Sequence, residues 1–93
     1  MGEEQELFSR NVTIVNELGL HARSAAKIAE ITLKAESDVW ILREGDKVDA
    51  KSVIDMLTLA CIKGSNITIK VDSRSDTNIL DNIVKLIEDG FGE

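Results

Sequence analysis

Asn11-Val12-Thr13-Ile14-Val15-Asn16-Glu17-Leu18-Gly19-Leu20-His21-Ala22-Arg23-Ser24-Ala25-Ala26 is the stretch in which the chain changes its period. Up to Asn16, polar and apolar residues alternate as in a strand, with Val12 and Ile14 on one face and Asn11, Thr13 and Val15 on the other. From about Ala22 to Leu33 the spacing becomes helical. Ala22, Ala25, Ala26, Ile28, Ala29 and Thr32 form a narrow stripe of small residues that can lie close against a sheet. His21, the one histidine of the chain, falls at the junction. Unpaired backbone N–H groups and the positive end of the helix dipole favour an anion there and disfavour an imidazolium. A neutral imidazole nitrogen is a nucleophile, and Arg23 offers a fixed charge and paired donors to a phosphoryl group placed on it. A lone histidine near a helix start is most often a solvated surface residue, so the weight falls on the rest of the chain.

Ser37 to Leu42 and Lys47 to Ala50 flank the turn Arg43-Glu44-Gly45-Asp46 and predict an antiparallel hairpin. Val39, Ile41, Val48 and Ala50 share its inner face, leaving Trp40 and Leu42 outside, where Trp40 shields an exposed sheet surface. Ser52-Val53-Ile54-Asp55 has the form of a helix start, with Ser52 as N-cap and Asp55 as its partner. Met56, Leu57, Leu59, Ala60 and Ile62 continue a short second helix that ends at Lys63-Gly64, with Met56 and Leu59 facing inward more than Val53. Ile67, Ile69 and Val71 alternate with Thr68 and Lys70 in a fourth strand, and Ile79, Leu80, Ile83, Val84, Leu86 and Ile87 make a helical stripe that stops at Gly90. Strand, helix, strand, strand, helix, strand, helix, each strand with one apolar face, predicts an α+β open-faced sandwich: a four-stranded antiparallel sheet covered on one side by three helices.

Ninety-three residues make one domain, expected over 1–93, with a single core and no deep enclosed cavity. Seventeen acidic against eleven basic residues give a formal charge of −6, with no dense basic patch or aromatic ladder. That balance disfavours nucleic acid and suits partners presenting positive patches, while Arg23, Lys27 and Lys51 are expected to form a local basic patch. One cysteine, Cys61, makes no internal disulfide and, with one histidine, no structural zinc site; it is expected to be buried at a helix end. No metal or cofactor is called for. Met1 leads into Gly-Glu-Glu-Gln-Glu, without a basic or apolar leader, and no stretch reaches membrane-spanning length, so a cytoplasmic protein without membrane insertion is expected.

Gly19-Leu20-His21-Ala22-Arg23-Ser24-Ala25 resembles the active-site motif of the HPr family, G-[LIM]-H-[AT]-R-P-A, carried by the histidine phosphocarriers of the phosphoenolpyruvate-dependent phosphotransferase system. Lys51-Ser52-Val53-Ile54, Lys63-Gly64 and Ile67-Thr68-Ile69 fit the same family, so the resemblance covers nearly the whole chain. It implies strand order 1-4-2-3 and the topology βαββαβα. It implies that His21 carries the phosphoryl group on Nδ1, steadied by Arg23 and by backbone amides around Ala22 and Arg23. A phosphoryl carrier rather than a free-standing enzyme follows, loaded by Enzyme I and unloaded to A-type acceptor domains. Ala22, Ser24, Lys27, Val53, Ile54 and Leu57 are then the partner-binding residues, and Ser52 is a regulatory position for an HPr kinase. The family's usual proline is Ser24 here, which brings an extra N–H and a hydroxyl into the first helical turn. Asn16-Glu17-Leu18-Gly19, Ser52-Val53-Ile54 and Gly90-Phe91 look more like the nitrogen-related branch, NPr, than the sugar-uptake branch.

The competing reading is a non-transferring regulatory module of the same fold, acting through Ser52 and the surface of the second helix. His21 and Arg23 are present, which favours transfer. A small ligand-binding domain has no signature beyond the fold, and a hydrolase is disfavoured because no second titratable group is identifiably paired with His21.

Overall fold

A computed structural model describes residues 8–93; the acidic lead expected at residues 1–6 lies outside the described residues. The elements are β1 (Ser9–Thr13), α1 (Ala22–Thr32), β2 (Val39–Arg43), β3 (Asp46–Asp49), α2 (Val53–Leu57), β4 (Asn66–Val71) and α3 (Thr77–Glu88), with 3₁₀ turns at Arg74–Asp76 and Gly90–Gly92. The four strands form one antiparallel sheet in the order β1-β4-β2-β3.

β4 sits inside the sheet because it is apolar on one side over its whole length. Ile67, Ile69 and Val71 point into the core, and their neighbours across the ladders are Val12, Ile41 and Val39. Helices cover that face: Ala25 and Ile28 come from α1, Met56 from α2, and Leu80, Ile83, Val84 and Ile87 from α3. The opposite face stays polar. Thr13 donates to Asn66 at 2.7 Å and Thr68 to Asn11 at 2.7 Å, each across the β1–β4 ladder. Trp40 lies on this face as expected, with the Lys47 ammonium 4.3 Å from the ring centroid and its indole N–H donating to Asp72 at 3.1 Å.

Three details differ from the sequence reading. In α1 the inward positions are Ser24, Ala25, Ile28 and Thr32, whereas Ala22 and Ala26 are exposed. Two hydroxyls face inward because both find acceptors: Thr32 donates to the Ala29 carbonyl, and Ser24 reaches the Gly19 and His21 carbonyls. Second, α2 ends at Leu57. Ala60 takes a left-handed conformation, φ 51°, which stops the helix, so Ile62 is 70% exposed in the following loop and Lys63-Gly64 belongs to the turn into β4. Third, Cys61 is buried as expected but lies in that loop rather than on a helix, and burial pushes its thiol up. Among the described residues, no helix is long and apolar enough to cross a membrane.

Candidate functional site

His21 is the N-cap of α1, with extended backbone at φ −113° and ψ −179°. The chain arrives there through Gly19, where only glycine fits. Its φ is +67°, and a Cβ would collide with the Cys61 carbonyl oxygen. Leu20 N–H donates to that same carbonyl at 2.9 Å, so the loop before His21 lies directly on the loop before β4.

The imidazole is fixed at both nitrogens. Arg23 N–H donates to Nδ1 at 3.2 Å, and an amide N–H only donates, so Nδ1 is unprotonated and presents its lone pair to the helix N-terminus. Nε2 therefore holds the ring proton and meets Glu93 Oε2 at 2.6 Å. The His21 and Glu93 side chains are 27% and 22% exposed. Glu93 Oε1 accepts from Asn16 Nδ2 at 3.0 Å, and the same Asn16 amide donates to the Gly19 carbonyl at 2.8 Å. Hydrogen bonds from Asn16 and then His21, with the Lys27 ammonium adding to them, hold the Glu93 carboxyl below the usual carboxylate range against a smaller desolvation effect.

Glu93 is the partner that sequence reasoning missed, because 72 positions separate it from His21. Its approach depends on the tail beyond α3: Phe91 turns through φ 59° with its ring 1% exposed in the core, and Lys27 donates to the Phe91 carbonyl at 2.6 Å. The only trace in the sequence is the pair Gly90-Phe91 after the last helix, a turn followed by an anchor.

The expected site residues divide by place. Arg23 is exposed, and its guanidinium has no partner among the described residues, which leaves it available to an anion beside Nδ1. Ala22 is exposed on the same first turn. Ser24, expected to touch partners, is 0% exposed and cannot. Its Oγ instead accepts from His21 N–H at 2.9 Å and lies 3.2 Å and 3.1 Å from the Gly19 and His21 carbonyls, closing a capping box around the histidine. Lys27 is half-buried with its ammonium on the Phe91 carbonyl, and Lys51 lies 3.8 Å from Asp38, so of the three expected cations Arg23 is the one whose charged group has no partner among the described residues.

Ser52 caps α2, accepting from Asp55 N–H at 3.1 Å; the reciprocal half of a capping box is not formed. Of the expected apolar patch, Ile54 is 76% and Leu57 38% exposed, while Val53 is half-buried against the core. Met56 and Leu59 face inward as the spacing predicts. Two apolar side chains not expected at the surface, Leu18 and Ile62, stand on the paired loops beside His21, each 70% exposed. The Glu17–Lys63 contact at 2.6 Å ties those loops together at their solvent edge.

The sequence and the fold are similar to those of known proteins. Residues 8–89 match the model of the PTS HPr component phosphorylation site. The chain is 38% identical to the phosphocarrier protein HPr of Cupriavidus necator over 94% of its own length and 98% of that protein's. It is 39% identical to the phosphocarrier protein NPr of Proteus mirabilis over 90% of its length and 94% of that protein's. The crystal structure of HPr-C-His from Thermoanaerobacter tengcongensis superposes with a TM-score of 0.86 at 30% identity, covering 91% of this chain and 96% of that one.

Proposed function

Because the chain belongs to the HPr family of phosphocarriers of the phosphotransferase system, we propose that His21 takes a phosphoryl group on Nδ1 from Enzyme I and passes it to A-type acceptor domains. The observation that carries this reading is the Nδ1 lone pair turned toward the first turn of α1, with Arg23 N–H 3.2 Å away. In the transfer, the lone pair forms the N–P bond while the donor's bond to phosphorus breaks and its electron pair stays with the donor. Arg23 N–H then has a phosphoryl oxygen to donate to instead of nitrogen, and the helix N-terminus stabilises the charge it receives. The free Arg23 guanidinium supplies a charge-assisted contact to the same oxygens. Phosphoryl transfer depends chiefly on such placed charges and positions, so a shallow surface site suffices.

Ile54 and Leu57, extended by Leu18 and Ile62, are the apolar docking surface in this proposal, and Ala22 lies at its edge. Phosphorylation of Ser52 by an HPr kinase would put a dianion on the N-cap of α2 and change docking by charge. We assign the whole of 1–93 to one domain acting in the cytoplasm. The likeness to an NPr supports the nitrogen-related branch, and the phosphorylation rates of a sugar-type and a nitrogen-type A domain by this protein would decide it.

Incubation with phosphoenolpyruvate and a cognate Enzyme I is expected to load one acid-labile phosphoryl group, and His21→Ala to abolish it. Undiminished labelling of His21→Ala would overturn the assignment. Absence of labelling in the native protein would favour the regulatory module acting through Ser52 and the α2 surface.

A further inference from the structure

We infer that Glu93, aimed by Asn16, is a positioning residue that keeps the Nε2 proton on the His21 ring through the phosphoryl cycle and so keeps the phosphorylated ring ready to transfer. The inference rests on the phosphocarrier reading and goes further than the family match, which ends at residue 89.

Asn16 is committed to this geometry. It is 6% exposed, and its Nδ2 donates both to the Gly19 carbonyl and to Glu93 Oε1, while its Oδ1 is buried without a hydrogen-bond partner. Turning the amide over would set that oxygen against two oxygens. An orphaned buried acceptor is a cost, and here it is the consequence of pointing the donor at Glu93. Glu93 spends one carboxylate oxygen on Asn16 and the other on Nε2 at 2.6 Å. The charged groups around the pair are Lys27, whose ammonium is held on the Phe91 carbonyl, and the exposed Arg23.

The consequence follows from leaving-group chemistry. With phosphoryl on Nδ1 and a proton on Nε2, the ring is cationic. When the N–P bond breaks, its electron pair returns to Nδ1 and a neutral imidazole leaves, with the Nε2 proton still in place. Had Nε2 lost its proton, the departing group would be an imidazolate, a far poorer leaving group. Before phosphorylation, the Arg23 amide and Glu93 both favour the Nε2–H tautomer. After it, the amide faces phosphoryl oxygen and Glu93 alone holds the proton.

The test uses the full chain, loaded from phosphoenolpyruvate by Enzyme I. Transfer from the phosphorylated protein to an A-type domain is measured across pH for the native protein and for Glu93→Gln, Glu93→Ala and Asn16→Asp, with nitrogen-15 spectra of the His21 ring. Expected are coincident rates at low pH, where every ring is protonated, and several-fold slower transfer by the variants above neutrality. The phosphorylated variants should also lose the Nε2 proton at lower pH than the native protein. Asn16→Asp, which sets a second carboxylate against Glu93, should behave like Glu93→Ala. Rates and ring spectra of native and Glu93 variants that coincide at every pH would overturn the inference. A native protein that takes no phosphoryl group would instead overturn the phosphocarrier reading. In that case the unphosphorylated ring decides: the hydrogen-bonded Nε2–H resonance must be present in the native chain and absent from Glu93→Ala.

Discussion

Ser24 shows how one buried hydroxyl organises the site. It binds backbone on both sides of the turn, accepting from His21 N–H and lying within reach of two carbonyls, and it is closed off from solvent. A proline could occupy the same turn but would bring neither hydroxyl nor N–H. Ser24→Ala is expected to cost about 1 kcal/mol of stability, typical for losing a capping hydrogen bond, and to slow loading of His21 because the N-cap backbone is no longer held. Denaturant unfolding and a loading time course check the two effects. The capping role was legible in no simple pattern, because S-x-x-E/Q motifs name the residue before the helix, whereas here a histidine occupies that place and the serine closes the box from inside.

Among the elements, α2 is stopped by Ala60 at φ 51°, a conformation in which a Cβ is unfavourable. Ala60→Gly is therefore expected to stabilise the protein by about 1 kcal/mol without moving Ile54 or Leu57, as thermal unfolding would register. The start of α3 is tied to the turn after α1 by Asp76, 1% exposed, whose carboxylate accepts from Glu36 N–H at 2.8 Å, Ser37 N–H at 2.9 Å and Ser37 Oγ–H at 2.7 Å. Burial alone would push this carboxyl up; the three hydrogen bonds, with help from Lys51, outweigh it and leave it below its ordinary value. A carboxyl lowered by folding contributes stability that is present above its unfolded value, about 3.9, and is lost as pH falls through the lower folded value. Acid unfolding below about pH 4 should therefore be shallower in Asp76→Asn, which is expected to be about 2 kcal/mol less stable at neutral pH because a strong acceptor is lost to N–H groups that need one. Equilibrium unfolding at several pH values checks both the sign and the slope.

Over the whole molecule, the proposed transfer surface combines the paired loops, the first turn of α1 and the exposed side of α2, with apolar side chains around the histidine. Leu18 and Ile62 enlarge it because Gly19 lets the two loops touch, a contact between positions more than forty residues apart in sequence. Ile54 is 76% exposed, so Ile54→Glu should leave the unfolding free energy within about 0.5 kcal/mol of native while weakening Enzyme I binding at least tenfold. Titration calorimetry against Enzyme I, with unfolding as the control, separates docking from folding.

The sequence by itself determined the seven regular elements, their inward faces in the strands and α3, and the place of His21 and Arg23, since these rest on local periodicity and on a helix start that neighbouring residues specify. The early end of α2 and the inward turn of Ser24 were decided by φ at Ala60 and by carbonyls within reach, neither of which a hydropathy pattern records. Only the tertiary structure brought Glu93 and Asn16 to the imidazole. That meeting requires Phe91 to fill the core and Gly19 to clear the Cys61 carbonyl, so it depends on packing between distant parts of the chain.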